Sequence, residues 1–258
     1  MANLPVLVSG ARGRMGREVV AAVTAAEDLD LVAQTDLGDD LAAEIERCGA
    51  RVVVDFTVPA SAVENTRTIL EAGACPVVGT TGFRTDEIAT LQSRSAELGR
   101  GGLIAPNFAV GAVLLMKFAA EAARHLPDVE VVELHHDQKV DAPSGTAIKT
   151  LELIRSSLDA AHGEGSGPGG RSGGSGVDEQ ETVPGARGGR HLGIPIHSVR
   201  LPGFVAHEEV IFGGPGQILT IRHDSISRAS FMPGVLLAVR KVVGLGRLYY
   251  GLDQILDL

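Results

Sequence analysis

Five short apolar runs punctuate the first ~105 residues, each followed by a segment of helical length. They are LPVLV at 4–8, LDLVA at 29–33, RVVVDF at 51–56, CPVV at 75–78 and GLI at 102–104. The runs are β-branched or aliphatic and mostly continuous, the pattern of strands buried on both faces of a parallel sheet. The first part of the chain is therefore predicted to be a doubly wound, Rossmann-like α/β domain, residues 1–106. Past Asn107 the pattern changes. A helix is predicted over 110–125, a strand over 129–134 and a helix over 146–158, followed by the runs IPIHSVRL, HEEVIFG and QILTIRH. Their alternation suits a sheet with one covered face, so residues 107–232 read as an α+β domain. The closing MPGVLLAVRKVVGL has proline near a helix start and an apolar stripe, and segment 233–258 is expected to return to the first domain. Eight of the fourteen residues at 163–176 are glycine, which reads as a flexible surface insertion.

Composition narrows the function. The chain has 23 basic and 32 acidic residues, a net charge of −9, and no basic run, which disfavours nucleic acid and anionic lipid as partners. No apolar run approaches the ~20 residues of a membrane span, and MANLPVLVSGARG lacks the pattern of a signal peptide. Cys48 and Cys75 match no metal or redox spacing and read as reduced thiols, so a cytoplasmic location is expected.

The turn after the first run is GARGRMG, with Gly10, Gly13 and Gly16 spaced three apart. Glycines here let the backbone turn sharply and approach a pyrophosphate, whose charge meets free N–H groups at a helix start. Alone this is a weak signal; it gains weight from Asp36, which ends the second run where a carboxylate can hydrogen-bond a ribose. Gly10, Ala11, Arg12, Gly13, Arg14 and Met15 are thus cofactor-binding candidates, with Asp36. An acidic residue favours NAD and an adjacent arginine favours NADP. Leu37 follows Asp36, while Arg12 and Arg14 offer positive charge, so use of both NADH and NADPH is expected, NADH at least as well. Other run ends fall on the same ligand edge: Gly79, Thr80 and Thr81, then Ala105, Pro106, Asn107 and Phe108, and Asp55, which either caps its own turn or meets ligand.

Residues 133–147 read ELHHDQKVDAPSGTA, a density of titratable groups that folding does not ask for. Ser144, Gly145 and Thr146 precede an apolar 3.6-residue period and so form a helix N-terminus suited to a carboxylate. His135, His136 and Lys139 bring cationic donors to the same loop, a local site for an anionic substrate in an acidic protein. No metal is expected, since neighbouring histidines do not easily converge on one ion and no HExxH or cysteine supports them. His125, His162, His191, His197, His207 and His223 read as structural.

The order GARGRMG, DFT, GTTGF, APNF and HHDQKVDAPSGT, with VPGARG and FMPGVLLAVR later, resembles the dihydrodipicolinate (4-hydroxy-tetrahydrodipicolinate) reductase family over nearly the whole chain. The resemblance implies an enzyme of lysine and diaminopimelate synthesis that reduces a cyclic imine dicarboxylate with NADH or NADPH. It also implies a homotetramer assembled through the second domain's sheet. His135 falls on the family's proton-exchanging histidine and Lys139 on its proton-donating lysine; His136, Ser144, Gly145 and Thr146 fall on or beside substrate contacts. Hydride addition to C=C–C=N builds negative charge that a nearby acid must quench, and Lys139, loosened by neighbouring cations, suits that task. The alternatives are another NAD(P)-dependent dehydrogenase of an aspartate-derived amino or imino acid, and a non-catalytic dinucleotide-sensing module. The second has no use for Lys139 beside two histidines.

Overall fold

The computed structural model describes residues 2–163 and 180–256, so the Gly-rich run at 163–176 lies, apart from Gly163, outside the described residues. In chain order the elements are β1 (Leu4–Ser9), α1 (Arg14–Ala25), β2 (Leu29–Thr35), α2 (Leu41–Cys48), β3 (Val52–Asp55), α3 (Pro59–Glu71), β4 (Cys75–Val78), α4 (Thr85–Leu98) and β5 (Gly102–Ile104). They continue with α5 (Val110–Ala123), β6 (Asp128–His135), α6 (Gly145–His162), β7 (Gly189–His191), β8 (Ile194–Arg200), β9 (Ala206–Gly214), β10 (Gln217–Ser225), α7 (Met232–Val242) and β11 (Leu248–Tyr250). The chain divides into two compact units, residues 1–110 with 228–258, and residues 111–227.

The first unit is a six-stranded parallel sheet in the order β11-β5-β4-β3-β1-β2. Every residue of β3 and β4 is buried, as continuous valine-rich runs covered on both faces require. The chain leaves β1 for β2 on one side and reaches β3 on the other, so the strand order reverses at β1 and opens a crevice beyond the carboxyl ends of β1 and β3. Helix α7 packs on α1 and β4, close enough that a Cβ on Gly234 would lie 2.0 Å from the Phe108 carbonyl oxygen. After it, β11 pairs in parallel with β5 as the sixth strand. The sequence reading did not anticipate β11, because three residues carry no period.

The second unit is a mixed five-stranded sheet, β10-β9-β6-β8-β7, with β6 parallel to β8 and the other pairs antiparallel. Its core joins Leu115, Ala119 and Ala123 of α5 and Leu151, Ile154 and Leu158 of α6 to Val129, Val131, Ile194, Ile196, Val210 and Phe212 of the sheet. Along β6 and β9 buried residues alternate with half-buried ones, as expected for one covered face. β10 departs from that expectation: it is an edge strand, and Gln217, Ile218, Leu219 and Thr220 are all exposed. α6 also runs four residues beyond the predicted 158, to His162.

Leu248 is 1% exposed and packs with Leu70, Val78, Leu91 and Ile104. Leu248→Ala is expected to cost ~2–5 kcal/mol, the usual range for a buried leucine truncated to alanine. Denaturant unfolding checks this as a lowered midpoint at unchanged slope.

Candidate active site

The cofactor candidates gather in the first unit, at the carboxyl ends of its strands. The Gly10 and Ala11 amides both donate to the Thr35 carbonyl, closing the glycine loop onto the end of β2. Gly10 has φ +77, and a Cβ there would lie 2.7 Å from the Phe56 carbonyl oxygen, so both conformation and space demand glycine. A Cβ on Gly16 would lie 2.0 Å from the Gly10 oxygen, which is how α1 starts so close to the loop. Gly13 is the N-cap of α1 and makes no side-chain cap bond, so the positive end of the helix dipole at this turn suits an anion. This cradle fits a dinucleotide pyrophosphate. Asp36 accepts from the Arg12 amide at 2.8 Å and the Leu37 amide at 2.9 Å. Those amides, Leu37 first, hold its carboxyl below the ordinary range, and spare lone pairs remain for ribose hydroxyls. Arg12 and Arg14 are exposed, Met15 is half-buried, and Leu37 is 97% exposed.

The next two strand ends are tied together by a residue left open above. Asp55 is fully buried, and its carboxylate accepts from the Thr57 amide, the Thr57 and Thr80 hydroxyls and Asn65. It therefore caps its own turn and anchors the Gly79–Thr80–Thr81 turn in one network. A Cβ on Gly79 would lie 2.0 Å from the Phe56 ring, so glycine is required there too. Phe56 and Phe108 approach to 5.8 Å between ring centres, and the Ala105 amide donates to Val78. Ala105 and Phe108 are buried beneath the edge; Pro106 is exposed, and Asn107 accepts from the Ala109 amide at 2.8 Å.

The substrate candidates lie in the second unit, where β6 and β8 end side by side. Ser144 is buried and caps α6 by accepting from the Ala147 amide at 3.2 Å, a bond that engages its oxygen as an acceptor and leaves its hydroxyl proton to donate. Gly145 and Thr146 supply the first amides of an 18-residue helix, and nothing lies within 4 Å of where a Cβ on Gly145 would be. A carboxylate has both donors and room there. His135 faces Glu133 through Nδ1, and His136 is half-buried on the turn that the Lys139 amide closes onto the His136 carbonyl. Lys139 Nζ donates to Asp141 at 2.7 Å. Its nearest charged neighbour is thus an anion, which corrects the expectation that cations surround it.

Glu133 and Arg200 did not stand out in the sequence. Glu133 is fully buried and continues the inward row Val129, Val131 of β6, so a carboxylate occupies what the strand period marks as a core position. Arg200 ends β8 and donates to both Glu133 oxygens, at 2.7 and 3.0 Å, and to the Asp141 carbonyl at 2.7 Å. A continuous polar chain therefore runs from His135 through Glu133 and Arg200 to Asp141 and Lys139. The available signal was a glutamate in phase with buried valines, which only the strand register reveals. Burial pushes the Glu133 carboxyl up, but hydrogen bonds from His135, Arg200 and Ser198 outweigh it and hold it down at about 2. An ionised Glu133 only accepts, so His135 carries its proton on Nδ1 and any proton exchanged with a ligand moves at Nε2. Among the described residues, no group of three or more His, Cys, Asp or Glu side chains is placed to hold a metal ion. Nor is any described helix long and apolar enough to cross a membrane.

A carboxyl depressed from 4.5 to about 2 contributes stability that is present above 4.5 and lost as pH falls through about 2. At ~1.4 kcal/mol per tenfold in proton affinity, this is on the order of 3 kcal/mol. Acid titration of unfolding is expected to show that limb in the wild type and to lack it in Glu133→Gln.

Sequence models of "Dihydrodipicolinate reductase, N-terminus" and "Dihydrodipicolinate reductase, C-terminus" match residues 4–108 and 111–256, meeting between Phe108 and the body of α5. A 4-hydroxy-tetrahydrodipicolinate reductase from Listeria innocua serovar 6a is 48% identical, covering 98% of this chain and 100% of its own. One from Streptococcus thermophilus is 51% identical with the same coverage. Among solved structures, a dipicolinate-bound dihydrodipicolinate reductase from Paenisporosarcina sp. TG-14 is 39% identical with a TM-score of 0.87, over 98% of this chain and 100% of that one. The chain that carries a glycine cradle in one unit and a buried glutamate beneath a histidine–lysine loop in the other belongs to the dihydrodipicolinate reductase family.

Proposed function

We propose that the protein reduces 4-hydroxy-tetrahydrodipicolinate, a cyclic imine dicarboxylate, to tetrahydrodipicolinate in lysine and diaminopimelate synthesis. The observation that carries this reading is the polar chain from His135 to Lys139 together with the α6 start at Gly145 and Thr146, where a Cβ on Gly145 would meet nothing within 4 Å. It pairs a carboxylate site with titratable groups, as reduction of an anionic imine requires. The pyridine nucleotide supplies the hydride. It would be held by Gly10 to Met15 and Asp36, with Gly79 to Thr81 and Ala105 to Phe108 lining the same sheet edge. On the substrate side, the α6 start takes one carboxylate, with Ser144 fixing that turn, and His136 contributes charge. Lys139 donates the proton that quenches the reduced ring, and Asp141 keeps its ammonium oriented. His135 exchanges a proton at Nε2 while Glu133 holds its other nitrogen.

NADH and NADPH are both accepted in this reading, NADH at least as well. Asp36 suits a ribose hydroxyl, exposed Leu37 offers a 2′-phosphate nothing, and the exposed Arg12 and Arg14 give it a partial counter-charge. The protein also self-associates, to a homotetramer, through the open β10 side of the second sheet, where Ile218 is 76% and Leu219 39% exposed.

The test is loss of NAD(P)H absorbance when the product of a dihydrodipicolinate synthase reaction is added. The wild type is expected to oxidise both cofactors, and Lys139→Ala to lose ~10²-fold or more in kcat, the scale of a positioned general acid. No oxidation with either cofactor, from protein that still binds dinucleotide, removes the reading. Gly145→Ala puts a methyl into the open space at the helix start without harming helix propensity. It is expected to raise KM about tenfold or more while leaving the unfolding midpoint in place.

A further inference from the structure

Two buried rows meet on the covered face of the second sheet. Val129 of β6 pairs with Phe212 of β9, Val131 with Val210, and the third rung pairs Glu133 with Glu208. The rung extends to Ser198 on β8 and His223 on β10. Glu208 is 6% exposed, and its Oε1 is buried with no hydrogen-bond partner among the described residues. Two like charges directly opposite on a sheet repel, and a buried carboxylate oxygen without a donor carries the full desolvation penalty. A proton on Glu208 removes the repulsion and lowers the desolvation penalty from that of a charged group to that of a neutral one. Glu133 takes donors from His135 and Arg200, with Ser198 adding to them, whereas among the described residues the Thr150 hydroxyl of α6 is what offsets the burial of Glu208.

We propose that Glu208 is a positioning residue of the site: it keeps a proton, so that Glu133 stays the one negative charge shared by His135 and Arg200. This deepens the reductase reading and rests on it only for its kinetic consequence. The charged and titratable groups around Glu208 are consistent with the assignment from each side. Glu133 on β6 opposes ionisation of Glu208; Arg200 at the end of β8 is spent on Glu133 and the Asp141 carbonyl. His223 on β10, lodged under Gly111 of α5, is driven toward its neutral form by burial and provides no fixed counter-charge. His135 faces Glu133, while His207 pairs with Asp224. Burial, with Glu133 adding to it against the Thr150 bond, raises the Glu208 carboxyl to about 7.

Thr150 extends the effect to the substrate turn. Its hydroxyl lies 3.1 Å from the Thr146 carbonyl and also within hydrogen-bond reach of Glu208. One hydroxyl proton serves one acceptor at a time. A protonated Glu208 donates to Thr150, which then donates to Thr146; an ionised Glu208 claims the Thr150 proton and takes that hydrogen bond from the Thr146 carbonyl.

The test compares the wild type with Glu208→Gln, which mimics the neutral acid in size and hydrogen bonding. A carboxyl raised from 4.5 to about 7 favours the folded state below 4.5, and that contribution is lost as pH rises through about 7. The thermal midpoint of the variant is therefore expected to gain on the wild type across that window and to keep a constant lead above it. In kinetics, the wild-type KM for the dicarboxylate is expected to rise roughly tenfold across the upper half of the window, as one displaced charge interaction allows, and the variant's to stay flat. Parallel pH profiles for the two proteins overturn the proposal. The wild type alone provides a second measurement: a buried protonated carboxyl gives an infrared C=O stretch that titrates through about 7, and its absence at about pH 6 also overturns it. Neither the midpoint nor the infrared band needs substrate, so a failure of the reductase reading would appear separately, as no NAD(P)H oxidation by either protein.

Discussion

A carboxylate buried in a row of valines is the constraint on which the substrate side depends. Burying Glu133 without partners would cost several kcal/mol, so the fold must bring donors to it. Chief among them are the His135 ring from the same strand and the Arg200 guanidinium from the neighbouring parallel strand. That demand fixes the site's geometry. The histidine's tautomer follows from the ionised acceptor, and the arginine's second edge reaches Asp141, whose side chain orients Lys139. A group that looks like an interruption of the core thus links the two titratable residues of the loop.

The two units use different means. In the first, the candidate cofactor site is built from backbone: the Gly10 and Gly16 contacts exclude even a methyl, and the fully buried Asp55 fastens adjacent strand ends. In the second, the candidate substrate site is built from titratable side chains on one sheet face and the start of one helix. Backbone amides suit a pyrophosphate that only has to be held, whereas a proton that has to move needs side chains whose charge the surroundings set.

The parallel sheet of the first unit was legible because buried strands leave continuous apolar runs, and the α6 start because Ser-Gly-Thr precedes a helical period. What was not legible depended on tertiary register. Glu133 stood inside the segment that drew attention, yet its role follows from pairing with Ser198 and Glu208 on strands 65 or more residues away. Arg200 stands in the run IPIHSVRL, where nothing local marks it as the partner of Glu133. Asp141 drew no reading of its own, and Lys139 was expected among cations although its partner is an anion two residues along the chain. β11 was too short for any period to show, and β10 alternates like a half-buried strand although it lies at an exposed edge.

The most direct test of the account is a crystal structure with NADH and dipicolinate, the planar dicarboxylate that resembles the substrate. The account requires one dipicolinate carboxylate on the Gly145 and Thr146 amides, Lys139 within reach of the ring, and His135 still bonded to Glu133 through Nδ1. Dipicolinate bound away from the start of α6, or His135 turned off Glu133 in the complex, would contradict it.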